Sequence, residues 1–404
     1  MKIAILTAGF QASSTALVAS YLALGYSVDY YIQTDKRTPK EKLRSLEALE
    51  LDLDTSIFWI KQIPLTHVRG IDFIKQKERL RIFCYRSAEF FDGSKTFLQK
   101  VMPPMLIYGL QILLLCRNYD YIGVIGQGSF ISHLSLNLSK KKILHTHTFH
   151  EVFSHQSNEL DSNVTQLVNA GVPLVVHSEY AKSRLEDLYK SKQIKVTAIP
   201  FGLFLGYSDF EKSDSIVLDR LKEKPYLLSY GFFSNYKGFD SIWKAYLILK
   251  QKMGDLPFKI VVAGSGHLEI IEEMKKYSDF IVINKWLSND EISTLIYNSR
   301  AVLAPYHSAS QSGLPQTCYV FDIPIVATRV GAFEEVIKNG ENGLLINDSP
   351  EDLAQAMLTI SNDKTIHSNI VGRRGLPNMF SWNVIGLQYM SMIRGLKTFE
   401  KSKL

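Results

Sequence analysis

Cysteine is scarce in this chain: three in 404 residues, Cys84, Cys116 and Cys318. They are widely spaced and odd in number. No disulfide framework or Cys-x-x-Cys metal clip can be read from them, which fits a reducing compartment. Long apolar runs are also missing. The longest, Met105 to Cys116, falls well short of the roughly 18–20 residues a membrane span needs. The opening run Met1-Lys-Ile-Ala-Ile-Leu-Thr-Ala-Gly9 is too short for the core of a signal peptide and reads better as a strand. No low-complexity tract interrupts the sequence, so disorder is expected only in the polar tail around Lys397, Glu400, Lys401 and Lys403. The repeated basic stripes of a nucleic-acid surface are absent, and no nucleic-acid partner is expected. These absences together point to a soluble, cytoplasmic protein.

What is present is ample apolar material. Hydrophobic residues make up 46% of the chain, enough for two cores, since single cores rarely grow past about 250–300 residues. The formal net charge is +6, and it is concentrated. Between Lys61 and Lys100 there are nine basic residues against four acidic ones, which leaves +5 in that stretch alone. Phe73, Phe83, Tyr85, Phe90, Phe91 and Phe97 are interleaved with them. Basic and aromatic residues together suit an anionic membrane surface or an anionic lipid-linked substrate. The plainer reading is a set of solvated helix faces with their aromatics turned into a core.

The pattern of elements is doubly wound α/β. Lys2 to Thr7 reads as a buried parallel strand, Ala8-Gly9-Phe10 as a turn, and Ser13-Ser14-Thr15 as the start of a helix running through Leu24. Gly25 closes that helix, and Ser27 to Ile32 is the next strand. Further strands are expected at 121–125, 142–148, 174–177 and 196–199. The pattern then restarts with a strand at 226–229, a loop 232–238 and a helix from Asp240 to about Lys252. Strands follow at 258–263, 280–283, 301–304 and 325–328. Two Rossmann-like domains are therefore expected, 1–205 and 206–380, meeting near 200–222, with a C-terminal helix and tail over 381–404. Ligands of such sheets bind beyond the carboxyl ends of the strands, so the loops there are where chemistry belongs.

One loop region stands out. Ser308-Ala-Ser-Gln-Ser-Gly-Leu-Pro315 precedes a helix, and its small residues can present free backbone N–H groups to a diphosphate. Arg329-Val-Gly331 ends the strand after it, and Asn339-Gly and Asn342-Gly are turns leading to a short strand. Three histidines end the strand near Leu144-His-Thr-His-Thr-Phe-His-Glu151, and His155 follows. His145 and His147 share one strand face, which raises a metal site, but no carboxylate or cysteine completes a set at usual spacing. Asp52-Leu-Asp54 is a lone acidic pair far from any strand-end glycine loop.

In order and spacing these pieces resemble the family 4 retaining glycosyltransferases, whose fold is GT-B. The likeness runs over nearly the whole chain: the strand-glycine opening, His177-Ser-Glu-Tyr-Ala-Lys182, Ile199-Pro-Phe-Gly202, Tyr236-Lys-Gly-Phe-Asp240, Val261-Val-Ala-Gly-Ser-Gly266 and Phe380-Ser-Trp382. The resemblance implies two Rossmann-like domains facing a central cleft. It further implies a metal-independent hexosyltransferase that takes a nucleotide diphosphate sugar as donor substrate and uses no cofactor. The acceptor would be a glycan or lipid-linked molecule, in surface polysaccharide synthesis, with contact to the inner face of the membrane through 61–100. Lys237, just before Gly238, would reach the donor diphosphate. Gly264, Ser310, Gln311, Ser312, Gly313 and Leu314 would line the same phosphates, and Glu335 matches the family's glutamate in this region. Gly9 would let the backbone approach donor or acceptor. His150 is the candidate for the histidine near the transferred sugar, with His147 second.

Three positions depart from the family pattern. Its two glutamates around the phosphate loop fall on Ser310 and Cys318, and the arginine that accompanies the lysine falls on Phe232. Some branches do read close to Ala309-Ser-Gln-Ser-Gly313 in this loop. The departures also support a different expectation, a catalytically silent subunit that binds a partner transferase or a glycan. A nucleotide-sugar epimerase on the same fold fits less well, because its carboxylate and histidine pattern is not visible.

Overall fold

A computed structural model describes residues 1–8, 11–34, 50–51, 60–69, 74–86, 109–111, 113–154, 159–204, 207, 224–362 and 380–401. Gly9, Asp52, Asp54, His155 and most of the 200–222 junction lie outside the described residues. The chain divides into two compact units. The first comprises Met1–Val152, Leu160–Gly202 and Met379–Leu404, and the second Phe153–Glu159 and Leu203–Asn378.

The first unit is built on an eight-stranded sheet. Its strands are β1 (Lys2–Ala8), β2 (Ser27–Thr34), β4 (Lys61–Ile63), β6 (Leu80–Arg86), β7 (Tyr121–Gly126), β8 (His145–Thr148), β9 (Leu174–Val176) and β10 (Val196–Ala198); Glu50–Leu51 (β3) and Val68–Arg69 (β5) form a separate ladder. The sheet order is β10-β9-β8-β7-β1-β2-β6-β4, parallel throughout except where β4 runs antiparallel to β6. Strands buried on both faces read as nearly unbroken apolar runs, and Ile3 through Leu6 and Ile122 through Ile125 do so.

β6 departs from the expectation of solvated helix faces. Ile82, Phe83, Cys84 and Tyr85 are buried in the sheet, and the charge of Arg81 is neutralised locally. Arg81 makes two hydrogen bonds to Asp29 on β2, at 2.6 and 2.5 Å, and Asp29 is almost fully buried. Arg117 stands 3.5 Å from the same carboxylate and 4.6 Å over the Phe83 ring. Of the basic residues in 61–100, Lys95 and Lys100 lie outside the described residues and Arg81 is tied into the fold.

The helix Trp382–Lys401 packs on the first unit rather than standing apart. Ile385, Tyr389, Met390 and Ile393 share a core with Leu17, Val18 and Tyr21 of the helix Gln11–Ala23. Contact is close enough that a Cβ at Gly386 would sit 2.2 Å from Ser20 Oγ.

The second unit has six parallel strands: β11 (Tyr226–Tyr230), β12 (Lys259–Gly264), β13 (Phe280–Asn284), β14 (Ala301–Ala304), β15 (Ile325–Thr328) and β16 (Gly343–Ile346). Their order, β13-β12-β11-β14-β15-β16, is the 3-2-1-4-5-6 arrangement of a dinucleotide-binding sheet. The strand order reverses between β11 and β14, and the crevice outside the carboxyl ends of those two strands is where such sheets bind ligands. The helix Phe239–Met253 lies over one face, and Phe239, Ile242, Ala245, Tyr246 and Leu249 fill the core beneath it.

Candidate active site

The second unit gathers its small-residue loops at that switch point. β11 ends at Tyr230, and Gly231 follows with a φ of 124°. The chain then makes one 3-10 turn, Asn235–Lys237, and enters the next helix through Gly238. Gly238 has a φ of 71°, and a Cβ there would lie 1.8 Å from the carbonyl oxygen of Pro305, just beyond β14. Only glycine lets these two strand-end loops close on each other. Gly264 is similar: its φ is 153°, and a Cβ would lie 1.8 Å from the Gly231 oxygen. Three strand ends, β11, β12 and β14, are thus brought together backbone to backbone.

Lys237 projects into this junction. A Cβ on Gly231 would meet its Nζ at 3.0 Å. The ammonium donates to Tyr306 Oη at 2.8 Å and lies 4.7 Å from the centre of the Tyr306 ring and 5.5 Å from that of Tyr236. Burial pushes its pKa below the usual lysine value, with Tyr236 opposing. Among the described residues no carboxylate pairs with it. The site therefore holds a half-buried cation beside aromatic faces, a favourable setting for a further negative charge.

Gln311, Ser312 and Gly313 are half-buried at the far side of the crevice, after β14 and before the helix Leu314–Cys318. Among the described residues their amides donate to no backbone carbonyl, while Leu314 N donates to Ser312 Oγ at 3.3 Å. Ser310 is buried and its hydroxyl donates to the Phe153 carbonyl at 3.3 Å. Cys318 is fully buried in the apolar core, and burial pushes its thiol pKa up. Glu335 is exposed in the first turn of the short helix Phe333–Val336. Of the two neighbouring phenylalanines after Gly231, Phe233 is core and Phe232 is 59% exposed.

His145, His147 and His150 of the first unit are buried. His147 is fully buried: its Nε2 donates to Gly126 O at 3.1 Å, and its Nδ1 lies 2.8 Å from Ser135 Oγ. Desolvation pushes its pKa down to about 3. His145 donates Nδ1 to the Ile143 carbonyl at 2.8 Å. Both rings of the strand-face pair are thus engaged within the fold. Among the described residues, no three His, Cys, Asp or Glu side chains gather as a metal site would.

His150 is also buried, 4.9 Å ring to ring from His177 and stacked on Phe201 at 4.9 Å. Desolvation, with His177 beside it, holds its pKa well below the ordinary value. The two imidazoles line a cavity of about 10 Å³ with Ser13, Ser14, Thr148, Trp382 and Tyr389, room for about one water molecule. His150 is thus placed among neutral packed rings, next to Glu151, whose carbonyl accepts from Gln127 Nε2.

One functional candidate escaped the sequence. His307, between Tyr306 and the small-residue loop, sets Nε2 3.0 Å from Asp240 Oδ1 and Nδ1 3.1 Å from Asp348 Oδ2. Its partners lie 67 and 41 residues away, and no local motif announces them.

Comparison with known proteins agrees with this geometry. Residues 224–363, nearly the whole second sheet and its helices, match the family described as Glycosyl transferases group 1. An uncharacterized glycosyltransferase of Methanocaldococcus jannaschii is 24% identical over 220 residues, covering 52% of this chain and 55% of the relative. An uncharacterized 41.2 kDa protein in the cps region of Klebsiella pneumoniae is 27% identical over 147 residues, covering 36% and 38%. The chain thus spans about half the length of the first of these and less of the second. Among solved structures, a sucrose-phosphate synthase from Thermosynechococcus elongatus superposes with a TM-score of 0.69 at 14% identity, covering 98% of this chain and 99% of that one. A glycosyltransferase from Rickettsia africae gives 0.63 at 16% identity, covering 98% of each. The fold is that of the GT-B glycosyltransferases. No helix among the described residues is long and apolar enough to cross a membrane.

Proposed function

We propose that this protein is a glycosyltransferase that moves a hexose from a nucleotide diphosphate sugar to a glycan or lipid-linked acceptor. The observation that carries the reading is Lys237: a half-buried ammonium, with no carboxylate partner among the described residues, at the switch point of a dinucleotide-type sheet. A lysine there neutralises charge that builds on the departing diphosphate, and it does so without a metal ion. The amides of Gln311, Ser312 and Gly313 supply further donors to the same group. Gly238 and Gly264 act by letting the loops approach. Among the described residues no carboxylate pairs with Lys237, and in this reading catalysis rests on positioning and on charge stabilisation, with the leaving diphosphate oxygen taking the acceptor's proton. The first unit is assigned to the acceptor, with His150 in a packing role beside it. The cps-region relative favours surface polysaccharide synthesis.

The rival reading, a catalytically silent subunit, is favoured by Ser310 and Cys318, which are buried and not acidic, and by Phe232 in place of the arginine. The test is a thermal-shift screen against UDP, GDP, ADP, CMP and their sugar conjugates, repeated on Lys237→Ala. A ligand at about a hundred times its dissociation constant adds about 2.7 kcal/mol to stability. A shift with one nucleotide, lost in the variant, supports a donor site; no shift with any of them favours the silent subunit.

A further inference from the structure

His307 holds a carboxylate at each end of its ring. Carboxylates only accept hydrogen bonds, so donation from Nε2 to Asp240 at 3.0 Å and from Nδ1 to Asp348 at 3.1 Å requires the doubly protonated ring. The same residue's backbone N–H donates to the Tyr236 carbonyl at 2.8 Å. Tyr236 and Asp240 flank Lys237 and Gly238 in sequence, so His307 grips the lysine-bearing turn on both sides. Asp348 lies just past β16, on the opposite side of the sheet order from β11, so the ring ties that turn to a distant strand end. His307 follows Tyr306, whose hydroxyl takes the Lys237 ammonium. One short segment after β14 therefore fixes both the lysine's backbone and its head group.

We propose that His307 is a positioning residue: as an imidazolium it clasps the Lys237 turn between Asp240 and Asp348, and so preorganises the diphosphate site. The inference rests on the donor-site reading above. The charged groups around the ring are few. The helix Phe239–Met253 offers Asp240, itself paired with Lys244 at 3.0 Å. The β16 end offers Asp348, and the turn after β11 offers Lys237, which is held away on Tyr306. Desolvation of the ring works against its protonation, but hydrogen bonds to Asp240 and Asp348 outweigh it and raise the pKa above the ordinary histidine value. The sign follows. Below that raised value the ring bridges both carboxylates. As pH rises through it, one nitrogen loses its proton, faces a carboxylate with no hydrogen to give, and that arm of the clasp opens.

The experiment measures inorganic pyrophosphate affinity by calorimetry from about pH 6 to pH 9 in the full chain, its His307→Asn variant and its Asp348→Asn variant. Pyrophosphate gains charge as pH rises, but it does so equally for all three proteins, so the ratio of affinities is the readout. At pH 6 the wild type should bind roughly fivefold to tenfold more tightly than His307→Asn, because it no longer has to order the turn on binding. That advantage should vanish by pH 9. Asp348→Asn should show a smaller advantage that is lost at lower pH, an effect that simple misfolding would not mimic. Proton–nitrogen correlation spectra of the His307 ring give its titration directly. A ratio that stays constant with pH, or a ring that titrates at the ordinary value, overturns the clasp while leaving the donor site standing. Absence of pyrophosphate binding to the wild type at every pH sinks the donor-site reading, and the positioning role falls with it.

Discussion

Mild acid should loosen the first unit, and His147 allows the size of the effect to be worked out. The ring is fully buried and neutral, giving one hydrogen bond and taking another. Its pKa is pushed down to about 3 by desolvation, against 6.5 for an ordinary histidine. The folded value lies below the unfolded one, so in acid the unfolded chain takes up a proton that the folded chain refuses. The stability due to this residue is whole above about pH 6.5 and is lost progressively as pH falls toward 3. At pH 5, about 1.5 pH units below the unfolded value, the loss is about 2 kcal/mol at 1.36 kcal/mol per unit. For a unit of about two hundred residues that is a fall of roughly 4–8 °C in melting temperature. His145, His150 and His177 are shifted in the same direction, so the wild-type fall should exceed that figure. The assay is calorimetric melting at pH 7 and pH 5 for the wild type and for His147→Gln, which keeps a donor for the Gly126 carbonyl but cannot titrate. The variant should start less stable at pH 7 and then lose about 2 kcal/mol less than the wild type between the two pH values. Equal losses in the two proteins, or a wild type that gains stability at pH 5, would refute the reasoning.

Two further outcomes follow from the packing. Gly238→Ala combines a left-handed backbone with a Cβ 1.8 Å from the Pro305 oxygen, and it should cost about 2–4 kcal/mol in urea unfolding; a loss below about 0.5 kcal/mol would show that the two loops do not close as described. Of the three thiols, Cys116 is exposed, while Cys84 and Cys318 are buried, with the Cys84 thiol pushed up to about 12 by desolvation. Maleimide at neutral pH should therefore add once to the native protein, at Cys116, and three times after denaturation; early labelling of Cys84 or Cys318 by peptide mapping would contradict their place in the cores.

Legibility in the sequence tracked burial on both faces. Runs such as Ala301-Val-Leu-Ala304 and Ile325-Val-Ala-Thr328 announce themselves because a central parallel strand tolerates almost nothing polar. β6 did not, since Arg81 and Arg86 break its apolar run and nothing local shows that Asp29 waits across the ladder to neutralise Arg81. Spacing could place Ser310 and Cys318 at the family's acidic positions, but only packing shows them turned into the interior. The same holds for Phe232 and Phe233. Adjacent and identical in type, one is solvent-exposed and the other is core, because a turn after a strand end has no fixed periodicity. His150 followed a motif, whereas its enclosure by His177 and Phe201 depends on segments far along the chain. His307 lay furthest from view, since its chemistry exists only once three strand ends are assembled.

The return of the last helix to the first unit has a consequence for how this protein can be taken apart. Neither unit is a single stretch of chain, since the polypeptide passes between them at 152, 159, 202 and 378. A fragment ending at Gly202 would leave the face of the Gln11–Ala23 helix bare where Ile385, Tyr389 and Ile393 belong, with Gly386 no longer resting on Ser20. Recombination between relatives is constrained in the same way. A second unit grafted from a relative must be threaded between the three pieces of one host's first unit, bringing its own counterpart of Phe153–Glu159, and the host's own C-terminal helix must travel with its N-terminal sheet. Such a chain is divided into an outer frame and an inserted inner cassette, rather than into front and back halves.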